Sequence, residues 1–189
     1  APTISREAYL EAHAEHSGED TREPVFAALL DETETSVSAA ELAAAYHEAV
    51  VEALAPVDGV ETLLANLRGK YRVGLLTDGP VEAQRGKLDR LDWSEEFHAT
   101  VITGALPAPK PDPRAFNALT EALDVAAERT VYVGDHPEND IQGARDAGMT
   151  SVQVVYDGGP DPHPAARATV PRTRLATELP TLLRRLAAE

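Results

Sequence analysis

The sequence contains no cysteine, so disulfides, thiolate metal sites and cysteine nucleophiles are excluded. It has no apolar run long enough to span a bilayer. Residues 1–15 are charged and helix-like, unlike a secretory leader. These absences together suit a soluble, cytoplasmic protein. Positive charge is also in deficit: 32 Asp and Glu stand against 17 Lys and Arg, a net charge of −15. That balance argues against nucleic-acid backbones and anionic membrane surfaces as partners. Lysine itself is scarce, with Lys70, Lys87 and Lys110 alone beside fourteen arginines. Two readings of this bias stand side by side. One is a salt-rich cytoplasm, where a dense carboxylate surface keeps the protein hydrated. The other is a high-GC genome, which favours Ala and Arg over Lys. Either way, a lysine in a constrained setting stands out.

The 189 residues, 43% of them hydrophobic, suffice for one sizeable domain or a core with a small accessory lobe. Up to residue 55 the pattern is helical throughout. Ser38 and Glu41 have the form of a capping box, and Leu42, Tyr46, Val50 and Leu54 follow at helical spacing until Pro56. From residue 56 the texture alternates. Helices are predicted over 60–67, 80–91, 113–123, 139–147 and 177–188, with strands over 71–76, 99–102, 130–133 and 151–155. The division is therefore 1–55 for a helical lobe and 56–189 for an α/β core. Such alternation predicts a parallel sheet with helices on both faces and a ligand site at the carboxyl ends of the strands.

Three polar clusters fall just after predicted strands, and so on one edge of the sheet. The first is Thr77-Asp78-Gly79. It offers a hydroxyl and backbone N–H groups at a helix start, a natural cradle for phosphate. Read alone, it is equally a turn and helix cap. The second is Lys110, held between Pro109 and Pro111 with Pro113 close behind. Stiff flanks limit where the ammonium can point, which suits fixed positive charge at a transferring phosphoryl group. The third is Gly134-Asp135 with Asp140 five positions on from Asp135. Two carboxylates at the mouth of a sheet suit Mg²⁺, a hard ion that takes oxygen ligands.

In this order the clusters resemble the haloacid dehalogenase-like (HAD) superfamily. The resemblance rests on Gly74-Leu75-Leu76-Thr77-Asp78-Gly79, on Lys110-Pro111-Asp112-Pro113, and on Val133-Gly134-Asp135 through Asp140, with Gly143-Ala144-Arg145-Asp146-Ala147-Gly148 behind. It covers residues 56 to the end, and the lobe before it resembles the family's small helical cap. It implies a Rossmannoid sheet and a Mg²⁺-dependent phosphatase that acts on a small phosphorylated metabolite through an aspartyl-phosphate. Thr77, Lys110 and Asp135 would be the catalytic set. Thr77, Asp78, Gly79 and Lys110 would hold substrate, with Asp78 standing where the family often has Asn. Asp135 would ligate the metal, and Asp140 would support the metal site or Lys110.

One departure is large. The family's nucleophile lies in an Asp-x-Asp motif after a central first strand, and no two aspartates here are separated by one residue. The acidic run at 31–34 follows a helical pattern instead. The missing strand would lie between the strands before Thr77 and before Gly134. The nucleophile would then come from residues outside these 189, from another segment or partner chain, or from a homo-oligomer. The alternative is a catalytically inactive phosphate- or protein-binding relative. A haloacid dehalogenase or a phosphosugar mutase shares the same core. A carbon–phosphorus hydrolase is disfavoured, because residues 1–55 carry no cap lysine. His13 and His16, near Glu15 and Asp20, read as an exposed helix face rather than a second metal site. Arg6, Tyr9 and Arg22 read the same way.

Overall fold

The computed structural model describes residues 4–16, 21–31 and 35–188. Asp20 and residues 32–34 of the acidic run lie outside them. The chain opens with α1 (Arg6–Glu15), α2 (Glu23–Leu30) and α3 (Ala39–Glu52). Each starts where its sequence supplies a reason. Ser5 accepts the Ala8 N–H at 3.1 Å, and Pro24 occupies the first turn of α2. At α3 the capping box closes in both directions, with the Ser38 N–H donating to the Glu41 carboxylate at 2.9 Å. The three helices meet in an aromatic cluster. Tyr46 packs at a tilt against Tyr9 and Phe26 with ring centroids 5.4 and 5.5 Å away. Val25 and Phe26 are buried beneath it.

Beyond this lobe the chain alternates: α4 (Val60–Arg68), β1 (Gly74–Thr77), α5 (Val81–Arg90), β2 (Ala99–Ile102), α6 (Pro113–Leu123), β3 (Val131–Gly134), α7 (Gly143–Asp146), β4 (Thr150–Val155), β5 (Ala168–Pro171) and α8 (Leu175–Leu186). Every strand pairing is parallel. Side chains alternate across the strands, so each face gathers its own core. On one face Phe116, Leu119 and Leu123 of α6 pack on Leu76 and Tyr132. On the other, Leu63 of α4 and Leu179 of α8 pack on Val152 and Val170, joined by Val131 and Val133.

The sheet is in two parts, β1–β2 and β3–β4–β5. Among the described residues no strand pairs with the second edge of β1 or of β3. The two parts nevertheless share a core, because Leu76 of β1 and Tyr132 of β3 belong to one cluster. The open position between β1 and β3 is where the sequence lacks its expected central strand.

Several boundaries differ from expectation. A fifth strand, β5, pairs in register with β4 and was not predicted. Its Ala-Thr-Val-Pro run is four residues long and ends in proline, which marks an edge strand and weakens the pattern. The strand expected from residue 71 begins at Gly74, since Tyr71 is exposed. The helix expected from residue 139 is a π-helical turn over Pro137–Gln142 that runs into the short α7. The last helix starts at Leu175 and carries Pro180 in its interior.

Candidate active site

The carboxyl ends of β1 and β3 and the loop after β2 bring the three polar clusters into contact. After β1 the chain turns through Asp78 and Gly79 into α5. Gly79 has φ 120°, and a Cβ there would stand 2.8 Å from the Gln84 amide nitrogen. The turn therefore needs glycine. The Thr77 hydroxyl donates to Gln84 Oε1 at 3.3 Å. Asp78 does more than shape the turn. Its Oδ1 accepts the Thr103 hydroxyl at 2.9 Å and the Lys110 backbone N–H at 3.1 Å, and its Oδ2 lies 3.7 Å from Lys110 Nζ.

The Lys110 side chain is 10% exposed. Its ammonium donates to Asp140 Oδ1 at 2.5 Å and to the Tyr132 hydroxyl at 3.2 Å. Burial opposes this charge, but Tyr132, Asp140 and Asp78 together outweigh it and hold the ammonium above the usual lysine range. Tyr132 contributes as a neutral hydroxyl dipole, because burial and Asp140 push its phenol well above the ordinary tyrosine value. Lys110 is thus a fixed cation at any physiological pH.

Asp140 is the hub. While Oδ1 holds Lys110 and Tyr132, Oδ2 accepts the backbone N–H groups of Asp135 and His136 at 3.1 and 3.0 Å. Both oxygens are committed, and the residue is buried. Gly134 makes this fit possible, since a Cβ there would meet the Asp140 side chain at 2.5 Å. The π-helical turn also has a local cause: His136 Nδ1 accepts the Asn139 N–H at 3.1 Å and caps it. Asp135 is exposed, and one of its oxygens accepts the Tyr156 hydroxyl at 3.4 Å. The ring of Tyr156 lies 4.4 Å from the Arg172 guanidinium carbon.

Of the residues singled out from sequence, Asp78, Lys110 and Asp140 form one connected network. Thr77 and Gly79 flank Asp78 in the chain and both meet Gln84, and Asp135 touches the network through its backbone. Sequence reasoning missed Thr103, Tyr132, Gln84 and Tyr156. Tyr132 reads as a core residue of a strand, and nothing in the pattern announces its hydroxyl. Gln84 does carry a cue: it lies in the first turn of α5, one helical turn after Pro80, and so sits close behind the Thr77 turn.

For a divalent cation the donor set is informative. Asp135 is the exposed carboxylate at the sheet mouth, whereas Asp140 has no oxygen to spare. Among the described residues no cluster of three or more acidic or histidine side chains could enclose a metal. One carboxylate, water and a substrate phosphate fit the way Mg²⁺ is commonly held.

Comparison with known proteins shows the family. The family model described as haloacid dehalogenase-like hydrolase matches residues 4–154. Glyceraldehyde 3-phosphate phosphatase of Methanopyrus kandleri is 37% identical over 111 residues, covering 58% of this chain and 48% of that protein. Phosphoserine phosphatase of Thermus thermophilus is 39% identical over 95 residues, covering 50% of this chain and 38% of that protein. The chain thus spans about half or less of the length of these curated relatives. The 2-haloacid dehalogenase of Pseudomonas syringae superposes with a TM-score of 0.67 at 25% identity, over 98% of this chain and 83% of that one. A magnesium-bound HAD hydrolase of Bacillus subtilis reaches 0.74 at 23% identity, over 96% and 85%, a likeness of fold alone. With the matched stretch running through the lobe and all three clusters, the chain belongs to the haloacid dehalogenase-like hydrolase family.

Proposed function

We propose that this chain forms the phosphate- and Mg²⁺-binding part of a phosphatase for a small phosphorylated metabolite. In this reading the reaction passes through an aspartyl-phosphate whose nucleophile is carried on a strand between β1 and β3. The observation that carries the reading is the buried Lys110 ammonium, fixed by Asp140, Asp78 and Tyr132 at the sheet mouth. A pre-positioned cation stabilises charge on a transferring phosphoryl group without reorganisation. The Thr77 hydroxyl and the N–H groups of the Asp78-Gly79 turn would hold the phosphoryl oxygens. Asp135 would hold Mg²⁺, which when bound neutralises phosphate charge. Asp140 would act on the metal site only through the backbone of Asp135 and through Lys110. Relatives named for glyceraldehyde 3-phosphate, phosphoserine and N-acylneuraminate 9-phosphate support the substrate class, since all are small phosphate monoesters.

The open position beside β1 and β3 favours a second reading, a phosphate-binding module without turnover. One experiment separates the two. Aryl phosphate hydrolysis is measured for the chain alone and for the chain joined at its N-terminus to an apolar strand ending in Asp-x-Asp. The proposal expects Mg²⁺-dependent turnover only in the joined protein, abolished by Asp135→Asn. Turnover in neither protein, or turnover indifferent to Asp135→Asn, contradicts it.

A further inference from the structure

Three glutamines occur in the chain, Gln84, Gln142 and Gln153. The amide NH₂ of two of them is engaged. Gln142 donates to Asp146 Oδ1 at 2.7 Å, and the fully buried Gln153 donates to the Asp161 carbonyl at 3.2 Å. The Gln84 NH₂ donates to nothing among the described residues, although its oxygen is held twice. Oε1 accepts the Thr77 hydroxyl at 3.3 Å and the Lys87 ammonium at 3.4 Å. Gln84 and Lys87 lie three apart on α5, and both are half-buried. A lysine that only covered apolar surface would send its ammonium out to water. Here the ammonium stays against its own helix. It can only donate, so it requires the amide oxygen on its side and turns the NH₂ to the other. Thr77 could not make this choice, because a hydroxyl both donates and accepts. The other side is the Asp78-Gly79 turn, where the amide nitrogen stands 2.8 Å from the place a Cβ on Gly79 would take. The start of α5 beside that turn has no side chain capping it, which leaves its first N–H groups uncommitted as well.

We propose that Gln84 is a phosphate-binding residue, whose NH₂ donates to a non-bridging oxygen of the phosphoryl group held at the Thr77-Asp78-Gly79 turn. Lys87 is the positioning residue that fixes the amide for this contact. The inference deepens the phosphatase reading and rests on it for the place of the phosphate. The two contacts of Oε1 explain how the site exchanges partners. When a phosphoryl oxygen arrives, the Thr77 hydroxyl swings its proton from Gln84 to that oxygen. Lys87 stays on Oε1, so the amide gives up one donor without leaving its oxygen unpaired. The NH₂ then supplies a second side-chain donor beside the hydroxyl, and the amide need not turn. Glycine at position 79 serves this contact as well as its own φ of 120°, since a Cβ there would crowd the amide nitrogen.

Selective ¹⁵N labelling of the glutamine side chains in the 189-residue chain gives three NH₂ signals, and Gln84→Glu assigns the one at issue. The chain is titrated with tungstate in the presence of Mg²⁺, and calorimetry gives the affinity. The Gln84 signal should shift to saturation while those of Gln142 and Gln153 stay in place. Gln84→Glu separates contact from support, because its carboxylate still accepts from Thr77 and Lys87 but offers an anion no donor. It should keep the Tm and weaken tungstate by at least about tenfold, the scale of one hydrogen bond to a charged group. Lys87→Met should weaken tungstate roughly threefold, and Lys87→Arg, again a donor alone, should keep the native affinity. Unchanged binding in Lys87→Met overturns the positioning role. A Gln84 signal that stays still at saturation, or undiminished binding by Gln84→Glu, overturns the phosphate contact. If tungstate binding is still lost in Lys110→Met, the phosphatase reading survives that failure. No tungstate binding to the native chain overturns both.

Discussion

Replacing Asp140 with asparagine tests whether that carboxylate holds the site together. The side chain keeps its shape, but one of its two oxygens becomes an NH₂ donor. In the native structure both oxygens face donors: Lys110 and Tyr132 on one side, the Asp135 and His136 N–H groups on the other. Either orientation of the amide therefore turns a donor toward donors. Facing the turn, it strands two backbone N–H groups, at about 1–3 kcal/mol each. Facing Lys110, it leaves a buried cation without its closest counter-charge, at about 3–5 kcal/mol. The expected loss of stability is thus about 3–5 kcal/mol, or a fall in Tm on the order of 10 °C for a chain of this size. Lys110→Met should cost less, about 1–3 kcal/mol, because Asp140 keeps three donors without it. Urea unfolding by circular dichroism reads both losses as a shift in midpoint at unchanged slope. The pH dependence adds a second constraint. A lysine whose folded value is raised contributes its stability in full below its ordinary value of 10.5, and that contribution fades only in stronger alkali. The Asp140→Asn deficit should therefore be equal at pH 6 and pH 9. A loss below about 1 kcal/mol, a loss smaller than that of Lys110→Met, or a deficit gone by pH 9 would refute the reasoning.

Tyr132→Phe removes a hydroxyl but leaves Lys110 and Asp140 paired, so it should cost only about 0.5–1.5 kcal/mol by the same unfolding assay. Gly134→Ala drives a Cβ into Asp140 and should destabilise by about 1–3 kcal/mol, while weakening phosphate binding more than Tyr132→Phe does. Phe116→Ala empties a fully buried position against the edge of the Tyr132 ring, 5.2 Å between centroids, and should cost about 3–5 kcal/mol. Equal costs for Tyr132→Phe and Asp140→Asn would mean that the hydroxyl, and not the carboxylate, organises the cluster.

What the sequence announced and what it hid differ for physical reasons. The edge of the sheet was legible because Thr77 ends β1, Asp135 directly follows β3, and Lys110 lies on the proline-stiffened loop after β2. Asp140 was harder. Its distance from Asp135 suits a second metal ligand as well as a scaffold, and only the packing against Gly134 reveals that both oxygens point inward. β5 escaped because four residues ending in proline carry too little alternation, although Val170 is fully buried. The open position beside β1 and β3 was legible as an absent motif, since no Asp-x-Asp occurs anywhere in the chain.

Phosphate binding at Lys110 carries the proposed function. Calorimetric titration of the 189-residue chain with tungstate, an inorganic phosphate mimic, with and without Mg²⁺, measures it without calling on the nucleophile. Saturable binding that strengthens with Mg²⁺ and disappears in Lys110→Met is the predicted result. No binding, or binding that survives Lys110→Met unchanged, would contradict the phosphoryl site itself.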